Sequence, residues 1–424
     1  MQEYLKKLPE EVRGLVRLAS DLAVSKNVAA YLVGGCVRDM LLGAKNFDLD
    51  IVVEGDGIIF AETLGRALQA KVIRHRRFGT ATVIVRPHLK IDFTTARKEF
   101  YPEPAHLPVV ESGTLHDDLF RRDFTVNAMA ISIVGSDFGE LVDYFSGKSD
   151  LVHKRIRVMH KLSFIDDPTR ILRAIRFEQR FDFKIDAQTL KYLKDALGLK
   201  MLEKVEPQRL RDDLILILKE NHPIKELRRM QKLTGFDFIV PRLKISSLTM
   251  GLLRSVEKQI DWFRADIPQR RHLDAWLMYL IALLSSLQAS KIEDFCRRFA
   301  LRRGEETRIL GYKAISGKLI TKLCNEDLKP SDVYELLEPL SYEVILMLRA
   351  KYKNKTLQRH IRDFFTIYNG MRIHVCGEDL HKLGLAPGPS YQKIFRRVLH
   401  ARLDGKVASK DDELELARKY IHAK

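Results

Sequence analysis

The sequence predicts an α+β chain, with a mixed head of about 155 residues followed by a long arm built from helices. Three observations carry this expectation. Short apolar runs of strand length, Tyr31–Val33, Ile51–Val53, Ala81–Val85 and Leu89–Phe93, all fall early in the chain. The pair Gly34-Gly35 joins the first of them to Cys36–Leu42, whose apolar spacing is helical and stops at Gly43, so the head mixes strands with helices. From Asp166 onward strand signals nearly vanish. Helical spacing then runs through Ile171, Leu172, Ile175 and Phe177, again from Leu190 to Leu197, and from Leu210 through Leu214 to Ile217.

Residues 1–28 read as one amphipathic helix burying Leu5, Leu8, Val12, Leu15, Val16 and Leu22. A further helix is expected over Gly55–Ala70. The runs at Ala81 and Leu89, separated by Pro87-His88, read as a hairpin that carries Asp92 beside the first acidic pair. Pro102, Pro104 and Pro108, with Gly113, make residues 98–114 a loop. Gly139–Leu151 reads as a strand followed by a turn. No fixed-period repeat is present, and Pro241, Pro268, Pro330 and Pro339 are candidate joints.

At 424 residues the chain has room for about three or four domains, and its 46% hydrophobic and 30% charged content is that of a globular protein. Lys and Arg exceed Asp and Glu by 17, which favours a polyanionic partner such as RNA, DNA or an acidic membrane surface. The N-terminus lacks the apolar core of a signal peptide, and the longest mostly apolar run, Trp276–Leu287, is too short to span a bilayer; the expectation is a cytoplasmic protein. Cys36, Cys296, Cys324 and Cys376 are far apart, which suggests neither a zinc site nor a disulfide framework. His272 and Asp274, without further histidines at ligand spacing, read as a surface pair.

The chemistry is concentrated between Tyr31 and Gly55. Gly34 and Gly35 at a strand-to-helix turn let the backbone approach a phosphate, and Arg38 adds a permanent cation in the first turn of the helix. Asp48 and Asp50 lie two apart at the entry to a strand and so share a face. Two adjacent carboxylates stay ionised cheaply when a cation sits between them, which suggests a divalent metal, most naturally Mg2+ held by Asp48 and Asp50.

The stretches Leu32–Asp39 (LVGGCVRD), Asp48-Leu49-Asp50, Arg121–Ala128 (RRDFTVNA) and Asp166–Phe177 (DDPTRILRAIRF) together closely resemble the class II tRNA nucleotidyltransferases: the CCA-adding enzymes with their A-adding, CC-adding and poly(A) polymerase relatives. The resemblance covers residues 30 to about 220. It implies a DNA polymerase β-like nucleotidyltransferase head over residues 1–155, a helical neck with a nucleotide-selecting motif over 156–225, a helical body over 226–340 and a helical tRNA-binding tail over 341–424. It also implies template-independent addition of CCA, or part of it, to the 3′ end of tRNA from CTP and/or ATP, with pyrophosphate released in a two-metal reaction. The implied catalytic residues are Asp48, Asp50 and Asp92, and the implied nucleotide-binding residues are Gly34, Gly35, Arg38, Arg122, Asn127, Asp167, Arg170, Arg173 and Arg176. The implied partners are the tRNA acceptor arm and 3′ end with ATP and/or CTP; no membrane or obligate protein partner is expected. Poly(A) polymerase and a catalytically inactive RNA-binding relative are the alternative readings.

Hydrogen-bond inventories explain how side chains would select a base. Cytosine and adenine each present an exocyclic amine beside a ring-nitrogen acceptor, whereas uracil and guanine present a carbonyl beside a ring N–H. Asp167 would accept from the amine and Arg170 would donate to the ring nitrogen. Asp167 also stands where an N-cap belongs, because Pro168 suits the first turn and disfavours helical geometry before it. Asp92, on its residues alone, also reads as a solvated strand acid. The family usually has Glu at the place of Asp166, and relatives commonly have Glu where Gln208 stands; the helix after Glu206 is expected to brace the neck. In the tail, Gly384–Pro389 is no P-loop, and Lys393, Arg396, Arg397, His400 and Arg402 read either as an RNA-backbone contact or as a solvated basic face. The motifs do not decide between CCA, CC and A addition, but the segment over residues 96–118 is not truncated, which slightly favours an enzyme able to add A.

Overall fold

The computed structural model describes residues 3–6, 8–44, 48–87 and 89–422; Met1, Gln2 and Lys7 of the expected first helix, Lys45–Phe47 before the acidic pair and His88 of the hairpin turn lie outside the described residues. Pro9 splits the N-terminal helix expected over residues 1–28 into α1, Glu3–Lys6, and α2, Glu10–Lys26. Its φ of −52° and ψ of 149° are extended, and a proline ring cannot donate the amide bond that would continue the helix through it. Leu5, Leu8, Val12, Leu15 and Val16 are buried, whereas Leu22 is half-buried and Ala19 and Ala23 occupy the interior.

Among the described residues the head is built on a seven-stranded mixed sheet, ordered β3-β4-β5-β2-β1-β8-β9. Its strands are β1 (Ala30–Val33), β2 (Leu49–Val53), β3 (Lys71–His75), β4 (Thr80–Arg86), β5 (Leu89–Thr95), β8 (Ala130–Ser132) and β9 (Leu141–Val142). Helix α3 (Gly35–Leu41) follows β1, and α4 (Gly57–Ala67) follows β2. The start of α4 is set by Asp56, whose carboxylate accepts from the Ile58 and Ile59 amides at 2.9 Å, two residues later than the apolar spacing suggests. Leu32, Ile51, Val83, Ile91 and Phe93 are buried in the sheet's core, each contributing about 1.5–3 kcal/mol of hydrophobic stabilisation.

Two parts of the head depart from the expectation. Strand β3 carries the pattern Lys-Val-Ile-Arg-His and is mostly exposed, so its pairing with β4 leaves no alternation of buried and exposed positions to read. The expected loop over 98–114 contains a two-stranded ribbon, β6 (Arg97–Phe100) paired antiparallel with β7 (Val109–Ser112), and the prolines sit in the segment joining them. Val109–Ser112 is exposed throughout, which again hides the strand from hydrophobic patterning.

Downstream come α5 (Leu115–Phe120), α6 (Gly147–Val152), α7 (Ser163–Asp166), α8 (Thr169–Arg180), α9 (Ala187–Gly198) and α10 (Pro207–Leu218). A two-residue parallel pair, β10 (Arg155–Ile156) with β11 (Lys184–Ile185), lies where only helices were expected. The chain forms two compact units, one over residues 1–217 with 232–234 and the other over 218–231 with 235–424.

The second unit is helical among its described residues. Trp276–Leu284 is buried on every side of its helix, and no described helix is long and apolar enough to cross a membrane. Asp274 serves as an ion-pair partner of Arg308 at 2.6 Å. In the tail, Arg396 Nε donates to Glu335 at 2.9 Å, His400 lies 3.1 Å from the same carboxylate, and Arg402 pairs with buried Glu413. Much of the expected basic stripe is therefore neutralised within its own unit.

Candidate active site

The site is a cleft of about 420 Å³ lined by residues of the first unit, including Gly35, Arg38, Asp50, Arg122, Asn127, Asp167, Arg170 and Arg173. Helices, a strand and the segments between them deliver these residues. Helix α5 begins at a capping box, in which Thr114 and Asp117 satisfy each other's amides, and ends by releasing Arg121 and Arg122 toward the cleft. Both guanidinium groups are held by Asp118, which is fully buried: Arg121 Nη2 donates at 2.6 Å and Arg122 Nη2 at 2.8 Å. Burial pushes the Asp118 carboxyl up, but Arg122 and Arg121 outweigh it and hold the group below the usual carboxylate range.

Gly34 is required by this arrangement. Its φ of +70° lies in the left-handed region, and the Arg122 guanidinium occupies the place where a Cβ at Gly34 would stand. The glycine pair thus admits an arginine as well as opening the backbone toward a ligand. On the next turn Arg38 is buried, donates from Nε to Asp39 at 2.8 Å and from Nη1 to Asn127, and lies over the Phe181 ring at 4.7 Å. Asn127 in turn donates to Asp123 at 2.9 Å, and Asp123 also accepts from Arg173 Nε at 2.9 Å. Burial would raise the Asp123 carboxyl; Arg173 and the Asn127 bond overcome it and bring it to about 2. Asp123 and Asp118 are buried anions that aim the arginines, a role visible in the sequence only as an acid embedded in a basic motif.

Of the expected acids, Asp50, on β2, lines the cleft, whereas Asp48, exposed and just before β2, and Asp92, on β5, are not among its lining residues. Strands β2 and β5 run parallel with Asp50 opposite Asp92, and Thr82 on β4 lies opposite Asp92 on its other side. The Thr82 hydroxyl donates to Asp92, and Lys90 Nζ lies 3.3 Å from it. Asp50 is pushed up to about 6, first by burial and then by the Asp92 and Asp48 carboxylates, with Arg122 pulling the other way. Among the described residues no group of three or more His, Cys, Asp or Glu stands ready to enclose a metal. The donor set nevertheless fits a hard divalent cation of the kind that takes one or two carboxylates and completes its shell with water and substrate phosphate, since such an ion would relieve the charge crowded at Asp50.

The base-reading candidates Asp167 and Arg170 line the same cleft. Asp167 Oδ1 accepts from the Thr169 amide at 3.1 Å, from the Thr169 hydroxyl at 2.7 Å and from Arg209 Nη2 at 2.7 Å. Arg170 is buried, with Nη2 donating to the Arg121 carbonyl at 2.7 Å and Nη1 without a hydrogen-bond partner among the described residues. Arg173 lines the cleft beside it. Arg176 does not line the cleft; its guanidinium lies over the Phe177 ring at 4.9 Å, and its charge acts on buried Asp213. Glu99, Tyr101, Arg121 and Phe177 also line the cleft although the motif comparison assigned them no role there.

The chain is similar to proteins that are already known. Residues 30–157 match the family described as "Poly A polymerase head domain", and residues 182–245 match "Probable RNA and SrmB- binding site of polymerase A". The A-adding tRNA nucleotidyltransferase of Geobacter sulfurreducens is 38% identical over 97% of this chain and 47% of its own length; that of Aquifex aeolicus is 38% identical over 77% and 39%. This chain thus spans about half or less of those two relatives. The A-adding tRNA nucleotidyltransferase of Halalkalibacterium halodurans is 31% identical over 97% of this chain and 93% of its own. Among solved structures, a CCA-adding enzyme in an apo form superposes with a TM-score of 0.75 at 36% identity over 98% of this chain and 97% of that one. The Thermotoga maritima CCA-adding enzyme complexed with tRNA superposes with a TM-score of 0.70 at 33% identity over 99% and 98%. Nucleotidyltransferases of this kind generally use a divalent metal. With a near full-length relative above 30% identity, this chain belongs to the class II tRNA nucleotidyltransferase family.

Proposed function

We propose that this chain adds nucleotides without a template to the 3′ end of tRNA, using ATP and/or CTP and releasing pyrophosphate. The observation that carries the reading is that Asp50, Asp167 and Arg170 line one cleft, so that a nucleotide whose triphosphate is bound near Asp50 would have its base within the same cleft as Asp167 and Arg170. Asp48 and Asp50 hold Mg2+, with Asp92 as the third carboxylate of the strand pair. When bound, the metal supplies charge neutralisation at the attacking hydroxyl and the departing pyrophosphate. The 3′-hydroxyl oxygen forms a new bond to the α-phosphorus, and the bond from that phosphorus to the bridging oxygen of pyrophosphate breaks. Gly34, Gly35, Arg38, Arg122, Arg173 and Asn127 shape and charge the triphosphate side. Asp167 and Arg170 read the base, and Arg176 supports the selecting helix from behind.

Addition of the terminal A is the favoured specialisation, since the A-adding relatives match at 38% and 31% identity. Head, neck, body and tail over residues 1–155, 156–225, 226–340 and 341–424, and a cytoplasmic location, belong to the same proposal. The test is incorporation of labelled ATP and CTP on tRNAs ending in the discriminator base, in C and in CC. Addition of A only to the CC-ended tRNA supports the reading; long A tracts on any RNA would favour a poly(A) polymerase, and no incorporation an inactive relative.

A further inference from the structure

Beside the cleft, and outside every motif discussed above, the head carries a row of aromatic rings at its surface. His116 and Phe120 on α5 stack with their planes 6° apart, and Phe120 stacks in turn on His160 with ring centres 5.2 Å apart and planes 25° apart. Tyr144 adds a ring 5.1 Å from His116. Phe120 is 42% exposed and Tyr144 53%, so both rings reach solvent instead of filling the core. Their base is rigid. Phe145 packs 5.3 Å from His116 and against the buried Leu115–Leu119 cluster, and Arg157 Nη2 holds the Phe145 carbonyl at 2.8 Å.

The position of the row gives it a partner. Phe120 is followed directly by Arg121 and Arg122, both of which line the cleft, and His160 lies 4.0 Å from Asp166, next to Asp167. Arg170 acts electrostatically on the same imidazole. A strand whose 3′ end enters the cleft from this side passes over flat rings and then between fixed guanidinium groups, the combination that single-stranded nucleic acid recognises through its base faces and phosphates. An aliphatic or purely protein-seeking patch has no need of imidazole and phenol rings at stacking distance.

We propose that His116, Phe120, Tyr144 and His160 form a stacking platform for the unpaired bases of the RNA strand that receives the nucleotide. The proposal rests on the nucleotidyltransferase reading and assigns positioning residues for its acceptor. Stacking on one aromatic ring is worth a roughly tenfold change in binding.

The test uses the whole chain and a tRNA carrying 2-aminopurine in its unpaired 3′ segment. Binding to the wild type quenches the fluorophore, and Phe120→Leu and Tyr144→Leu, which keep apolar volume but lose the ring face, relieve the quenching and raise the KM for tRNA about tenfold, with the KM for the nucleotide unchanged. Tyr144, more than half exposed, keeps the test valid if Phe120→Leu fails to fold. A wild type that adds nucleotide while both variants retain quenching and KM overturns the platform alone; a wild type that neither adds nucleotide nor binds tRNA overturns the functional reading beneath it. Sedimentation of the wild type as a dimer that both substitutions dissociate would make the ledge an interface between copies and overturn the proposal as well.

Discussion

Arg209 Nη2 donates to Asp167 Oδ1 at 2.7 Å, from a position 42 residues further along the chain. The same guanidinium donates from Nη1 to the Ala105 carbonyl at 2.8 Å, so one arginine ties the selecting acid to the segment that joins β6 and β7. The helix expected only to brace the neck therefore braces it at the carboxylate proposed to read the base. Three donors converge on Oδ1, which leaves base recognition to Oδ2. Pro168, not Asp167, stands at the N-cap of α8, so the bonds to Thr169 and Arg209 fix the Asp167 carboxylate by one oxygen and leave the other for the proposed reading role.

Arg209→Ala should release Asp167 without removing it. Because the pair is partly exposed, the expected loss is about 1–2 kcal/mol in kcat/KM for the correct nucleotide, with weaker rejection of UTP and GTP. Steady-state kinetics with the four triphosphates measure both. Unchanged selectivity would show that Arg209 holds only the backbone.

Arg170 offers a sharper test, since its Nη1 is a buried donor without a partner among the described residues. A ring-nitrogen acceptor on the incoming base would complete it. Arg170→Ala should cost about 1–3 kcal/mol for ATP or CTP and little for UTP or GTP. Arg170→Lys should not rescue, because a lysine cannot both bind the Arg121 carbonyl and present a planar second donor. Equal losses for all four nucleotides would assign the residue to the triphosphate instead.

Asp50→Asn and Asp48→Asn keep side-chain size and remove the charge proposed to hold the cation. Incorporation should fall by about three orders of magnitude or more while tRNA affinity stays close to that of the wild type. Filter binding beside a single-turnover assay separates the two quantities. An active Asp50→Asn enzyme would refute the assignment.

In the second unit, Glu226 is fully buried with no hydrogen-bond partner for its carboxylate from another residue among the described ones, and burial pushes its pKa up to about 7. A carboxyl whose folded pKa exceeds its unfolded value binds its proton more tightly when folded. It therefore costs no stability below about pH 4.5 and becomes increasingly destabilising as pH rises to about 7. Glu226→Gln should remove this penalty, at most about 3 kcal/mol, and raise the melting temperature at pH 8 while leaving it nearly unchanged at pH 4.5. Equal melting shifts at both pH values would show that the charge is not what is removed.

The sequence by itself determined the α+β class, the glycine turn, the acidic pair and the helix bearing Arg170 just after Asp167. Each of these is written locally: in strand-length apolar runs, in a two-residue acidic spacing, or in a cap and helical period. It did not determine the β6–β7 ribbon or the edge strand β3, because exposed strands gain their stability from backbone pairing and carry no hydrophobic alternation. The hairpin reading already set Asp92 beside the acidic pair, and the parallel register puts it opposite Asp50. The sequence did not determine that Gly34 must lack a Cβ to admit Arg122, or that Asp167 would be tied to Arg209. Those two relationships join residues separated by 88 and 42 positions, and only the packing of helices and loops in the folded head brings such side chains within bonding distance.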